Sequence, residues 1–194
     1  MLLSHEKKFL FVHIQKTGGT SMTKWMQDNV PDMEMYMNPH SPLSLCEDKY
    51  KDYYKTALVR NPFDRLVSWY SMIRNNKTHN YLQRQVLTHS NNFTEFILNC
   101  EHISNKSNWK PFHYNQIDYL TDVNGEIIVN YVGRFEDFSQ SIKSISNYLD
   151  IESKEIGHTN KSNHTAYQNY YTEETRDIIS KRFKRDLEYF DYTF

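Results

Sequence analysis

The stretch His13-Ile14-Gln15-Lys16-Thr17-Gly18-Gly19-Thr20-Ser21 gathers the residue types that hold a phosphate-like anion. Lys16 brings a point charge, and Thr17, Thr20 and Ser21 bring hydroxyl donors. Gly18 and Gly19 let the backbone fold into a concave row of N–H groups. Residues 8–14 in front, with the apolar run Phe9–Ile14, read as a buried strand. Ser21 to about Asn29 behind reads as a helix, with Met22, Trp25 and Met26 on one face, and its N-terminus adds positive potential. Glycine is scarce, 5 in 194 residues, against a typical share of roughly 7%. An adjacent pair therefore marks a turn that needs it. The loop is not a Walker A motif: Lys16 precedes the glycines, and no Gly-Lys-Ser/Thr occurs in the chain. No G-x-G-x-x-G occurs either, which argues against a dinucleotide site.

A second constellation follows the run Lys55–Arg60, which reads as another strand. Arg60 emerges at its carboxyl end, the side on which open α/β sheets bind ligands. Asn61 and Pro62 are a strong helix start, N-cap and N1. That helix is expected to run to about Asn75 on the stripe Phe63, Leu66, Val67, Tyr70 and Ile73. Ser68 lies off the stripe, so packing does not require it. Further on, Asn124-Gly125 marks a turn, and Glu126–Val132 reads as a third strand ended by Gly133. Glu136–Leu149 and a segment from Thr172 read as amphipathic helices. Strands alternating with helices give an α/β class with a mainly parallel sheet, and residues 1–194 are expected to form a single domain.

The first motif resembles the 5′-phosphosulfate loop of carbohydrate O-sulfotransferases, the heparan sulfate 6-O-sulfotransferases in particular. Leu58-Val59-Arg60-Asn61-Pro62-Phe63-Asp64-Arg65-Leu66-Val67-Ser68 resembles the same enzymes' 3′-phosphate segment. Weaker likeness runs through Val132–Glu136 and from Arg182 to Phe194. The resemblance implies a P-loop-like three-layer fold and 3′-phosphoadenosine 5′-phosphosulfate (PAPS) as sulfuryl donor, leaving adenosine 3′,5′-bisphosphate (PAP). It implies that residues 16–21 (Lys16, Thr17, Gly18, Gly19, Thr20 and Ser21) hold the 5′ end, and that Arg60 and Ser68 hold the 3′-phosphate. Lys16 would also stabilise the leaving oxygen. It further implies a base, a histidine or an acidic residue, from the interval between the motifs or nearby, and His40, between Pro39 and Ser41-Pro42, is the histidine of that interval. His13 is the rival base, although a strand histidine is more often packed. Trp109, Lys110, His113 and Gln116 combine stacking and hydrogen-bonding groups suited to a sugar acceptor. The polar loop around His158–His164 falls where the family closes over the nucleotide.

Composition bounds the rest. A net charge of −1, from 23 basic and 24 acidic residues, argues against a nucleic-acid protein working through a basic field. It also slightly favours a neutral or lightly charged glycan acceptor over a long polyanion. Two cysteines, Cys46 and Cys100, form no disulfide framework and no metal spacing, so no metal is expected. Charges precede any long apolar run at the N-terminus, so a cytoplasmic enzyme without membrane anchor is expected. The expected activity is transfer of a sulfuryl group from PAPS to a sugar or glycan hydroxyl. A nucleotide-dependent kinase is the rival enzyme reading, weakened by the displaced lysine. A phosphonucleotide- or glycan-binding module without catalysis is the non-enzymatic one.

Overall fold

The computed structural model describes residues 1–104, 114–152 and 166–194. The chain divides into two compact units: Met1–Arg60 with Gln116–Lys161, and Asn61–Asn115 with Ser162–Phe194.

The first unit is built on a five-stranded sheet of order β3-β1-β2-β4-β5. Its strands are β1 (Leu2–Ser4), β2 (Phe9–Val12), β3 (Glu34–Met35), β4 (Tyr54–Val59) and β5 (Tyr131–Arg134). β2, β4 and β5 run parallel, with Val12 beside Ala57 and Val59 beside Arg134. β1 runs antiparallel to both β2 and β3, so the sheet is mixed around a parallel centre. The expected α/β class is what the structure has. Side chains alternate across the sheet, so Leu2, Phe9, Phe11 and Leu58 share one face. They pack there with Met22, Trp25 and Met26 of α1 (Gly19–Asn29) and with Phe138, Ile142, Ile145 and Leu149 of α5 (Phe138–Leu149). The opposite face, carrying Leu10, Val12, Ala57 and Val59, is buried as well. This reproduces the doubly apolar run that parallel strands need.

The third parallel strand departs from expectation. Gly133 lies inside β5 rather than ending it. Upstream, Asn130 makes both contacts to Lys55: its backbone N–H donates to the Lys55 carbonyl and its side-chain oxygen accepts from the Lys55 N–H. A side chain thus occupies a ladder position, and regular pairing starts only at Tyr131. Gly133 is needed for space, because a Cβ there would sit 2.5 Å from Ser141 Oγ and 2.6 Å from Leu58 Cδ2.

The second unit is helical: α2 (Pro62–Asn75), α3 (Tyr81–His89), α4 (Phe93–Ser104), α6 (Glu173–Arg182) and α7 (Lys184–Tyr189). Its core is aromatic, with Phe63, Trp69, Tyr70, Phe93, Phe96 and Phe183 buried together. Asn61 caps α2 as expected, accepting from the Phe63 N–H with Pro62 behind it. The final helix starts at the Thr172 cap but breaks in two at Phe183, which leaves helical geometry and is fully buried. No helix among the described residues is long and apolar enough to cross a membrane.

Candidate functional site

Because β2, β4 and β5 are parallel neighbours, their carboxyl ends lie along one edge of the sheet. From those ends emerge the loop 13–18, Arg60 and Phe135.

The loop turns through two left-handed residues, Lys16 at φ 66° and Gly18 at φ 82°. Gly18 is the N-cap of α1, and no side chain caps that helix. The first N–H groups of a helix have no intrahelical acceptors, and a helix mouth without a side-chain cap is suited to an anion. Both glycines are also required for space. A Cβ on Gly18 would fall 2.8 Å from Phe138 and 3.0 Å from Phe135; one on Gly19 would fall 1.9 Å from His13 Cδ2. Thr17 is fully buried and its hydroxyl donates to the Ile14 carbonyl at 2.9 Å, fixing the loop's shape. Thr20 is exposed and Ser21 half-buried on the first turn. Gln15 is buried, and its Nε2 has no acceptor among the described residues. A buried donor left so is costly unless a ligand completes it.

Arg60 is held on several sides. Gln116, fully buried, accepts from the Arg60 N–H at 2.9 Å and donates to the Arg60 carbonyl at 2.8 Å. The guanidinium lies 4.2 Å over the Phe135 ring, and its Nη1 donates to the Lys16 carbonyl at 3.2 Å. The Lys16 ammonium makes no ion pair among the described residues, and its pKa is depressed by burial and then by the Arg60 charge. Two partly buried cations side by side repel each other; a bound polyanion relieves that repulsion.

His40 and His13 meet edge-on with ring centroids 4.6 Å apart. His40 Nδ1–H donates to the His13 carbonyl at 2.9 Å. The neutral ring therefore carries its proton on Nδ1 and its lone pair on Nε2. Burial pushes the His40 pKa below its ordinary value, partly opposed by that hydrogen bond. His13 is pushed much further, to about 3, by burial and then by the neighbouring His40.

The structure thus brings together Lys16, Thr17, Gly18, Gly19, His13, His40, Arg60 and Gln116 in the first unit. Gln116, expected among acceptor-facing residues, has its amide engaged with the Arg60 backbone. Ser68 is 3% exposed on α2 of the second unit. Trp109, Lys110, His113 and the His158–His164 loop lie outside the described residues. Sequence reasoning missed Phe135 as the platform under Arg60. It also missed Gln116 as its brace, since nothing local to either residue signals the contact. No group of side chains suited to a metal occurs among the described residues.

An α/β sheet whose parallel strands end beside a helix without a side-chain cap, with Lys16 and Arg60 next to it, offers donors and positive charge suited to an anion. The chain belongs to the Sulfotransferase family, whose profile matches residues 1–193. No curated protein matches it. Among solved structures it is similar to mouse sulfotransferase SULT7A1 complexed with PAP, at 14% identity and TM-score 0.51 over 97% of this chain and 86% of the other. It is also similar to a sulfotransferase from Alicyclobacillus acidocaldarius, at 12% identity and TM-score 0.49 over 93% and 92%.

Proposed function

We propose that this sulfotransferase takes a sulfuryl group from PAPS and passes it to a hydroxyl of a sugar or glycan in the cytoplasm. The observation that carries the donor assignment is the α1 entrance: a left-handed Gly18, no side-chain cap, and Lys16 beside Arg60. These features fit a nucleotide with phosphate groups at both its 5′ and 3′ ends, as does the PAP complex of the similar mouse enzyme. PAPS supplies an activated sulfuryl group on a good leaving phosphate. Residues 16–21 hold the 5′ end, with Lys16 stabilising charge on the departing oxygen. Arg60, stacked on Phe135, and Ser68 hold the 3′-phosphate. His40 accepts the acceptor's proton on Nε2, the ring nitrogen left with a lone pair by the Nδ1 bond to His13. A kinase reading is less favoured, because Lys16 stands before the glycines and no Gly-Lys-Ser/Thr is present.

The test compares PAP, ATP and NAD by thermal unfolding of the purified chain. At 100 times its dissociation constant a ligand of the folded state adds about 2.7 kcal/mol. PAP is expected to stabilise strongly and the other two weakly. Equal stabilisation by ATP would overturn the donor assignment.

A further inference from the structure

We propose that His13 Nε2–H is a further donor of the anion cradle, hydrogen-bonding the 5′-phosphate of the nucleotide; this rests on the PAPS reading above. The argument begins with Gly19, the first residue of α1. A Cα–Cβ bond in a helix tilts toward the N-terminus, so a Cβ built on Gly19 points to the helix mouth. That space is filled by His13: the built Cβ lies 1.9 Å from Cδ2, 2.2 Å from Nε2 and 2.7 Å from Cγ. The Cδ2–Nε2 edge of the imidazole therefore stands at the N-terminal opening of α1, beside the N–H groups that no side chain caps.

The ring is only partly buried, and among the described residues neither ring nitrogen has a hydrogen-bond partner; the one His13 hydrogen bond to His40 uses the His13 backbone carbonyl. The contact of the ring with His40 is edge-on packing. Burial and His40 keep the ring neutral, at a pKa of about 3. A neutral imidazole presents one N–H and one lone pair, and an oxygen anion at the helix mouth selects the form with the proton on Nε2. The role adds a directional donor without a third positive charge beside Lys16 and Arg60. It also explains why a side chain is excluded at position 19: any Cβ there would displace the ring.

The experiment titrates PAP and adenosine 3′-phosphate into wild type, His13→Gln and His13→Phe by calorimetry. His13→Phe keeps the ring and loses the donor, and is expected to weaken PAP by about 10- to 100-fold, the range for a hydrogen bond to a charged group. Adenosine 3′-phosphate, which lacks the 5′ group, is expected to bind all three proteins alike. His13→Gln, whose amide can replace the N–H, is expected to stay within about threefold of wild type. Should His13→Phe not fold, nitrogen NMR of the wild-type imidazole decides. A His13 Nε2 signal moved by PAP and not by adenosine 3′-phosphate supports the contact, and an unmoved signal overturns it. PAP binding equal in wild type and folded His13→Phe overturns this inference alone. Absence of PAP binding to wild type overturns the donor reading and this contact with it.

Discussion

The helices of the two units begin in different ways. In the second unit α2, α3, α4 and α6 each start on a side chain that accepts a first-turn N–H: Asn61, Asn80, Asn92 and Thr172. In the first unit neither α1 nor α5 has such a cap. α5 grows out of a 3₁₀ turn, Phe135–Asp137, whereas α1 opens straight onto a left-handed glycine. A cap contributes about 0.5–2 kcal/mol, so leaving α1 without one sacrifices stability at the mouth proposed above to receive the nucleotide. The second unit caps four of its helices in this way, α7 excepted, and fills its core with aromatic rings.

The contrast is broken most severely at His40. If it is the base, His40→Ala lowers kcat by about 10²–10⁴ while PAP affinity stays nearly intact. The sign of the pH effect follows from its environment. Burial disfavours the charged ring, so the neutral, accepting form persists below the ordinary value of 6.5. The wild-type rate should rise with pH through one ionisation whose midpoint lies below that value, and the variant should lose this limb. Turnover close to wild type in a folded His40→Ala protein would place the base elsewhere. Lys16→Ala is next: kcat should fall by about 10²–10³, as for a lost oxyanion donor, with a smaller change in PAP affinity. A raised KM at unchanged kcat would make Lys16 a binding residue only.

Arg60→Ala sharpens the comparison at equilibrium. Removing one partner of a desolvated charge pair costs about 2–5 kcal/mol, so PAP should weaken at least about 30-fold. Adenosine 5′-phosphate, which lacks the 3′ group, should be little affected; equal losses would undo the 3′-phosphate assignment. The smallest effect belongs to the other unit. Asn80→Ala removes one half of the α3 capping box and should lower unfolding stability by about 1 kcal/mol without changing PAP affinity. A change in nucleotide binding there would erase the distinction between the units.

What the sequence disclosed was local chemistry. Asn61-Pro62 announced α2 because cap and N1 preferences act within a few residues, and Gly18-Gly19 announced the turn because few other residues tolerate it. Lys16 and Arg60 were legible for the same reason, each standing next to a strand end. What stayed hidden was tertiary. Phe135 under Arg60 and Gln116 against its backbone lie far along the chain, and neither breaks a local pattern. Gly133 misled because a glycine after an apolar run reads as a stop, when here it answers crowding by Leu58 and Ser141. The break at Phe183 was invisible because the apolar stripe continues through it.

The Arg60–Gln116 pairing has a meaning for how this chain can change over time. The backbone leaves the first unit after Arg60 and returns at Gln116, so residues 61–115 form an excursion whose two ends are tied by a pair of hydrogen bonds. With the ends fixed, lengthening such an excursion is cheap: doubling a flexible loop costs only about 0.6 kcal/mol in closure entropy. Insertions and deletions between residues 76 and 79, in the connection before α3, can accumulate without pulling Arg60 out of register with Lys16. The knot at the root lets the branch vary. Mutational drift should thus be tolerated most in that connection and least in the few residues that tie the excursion down.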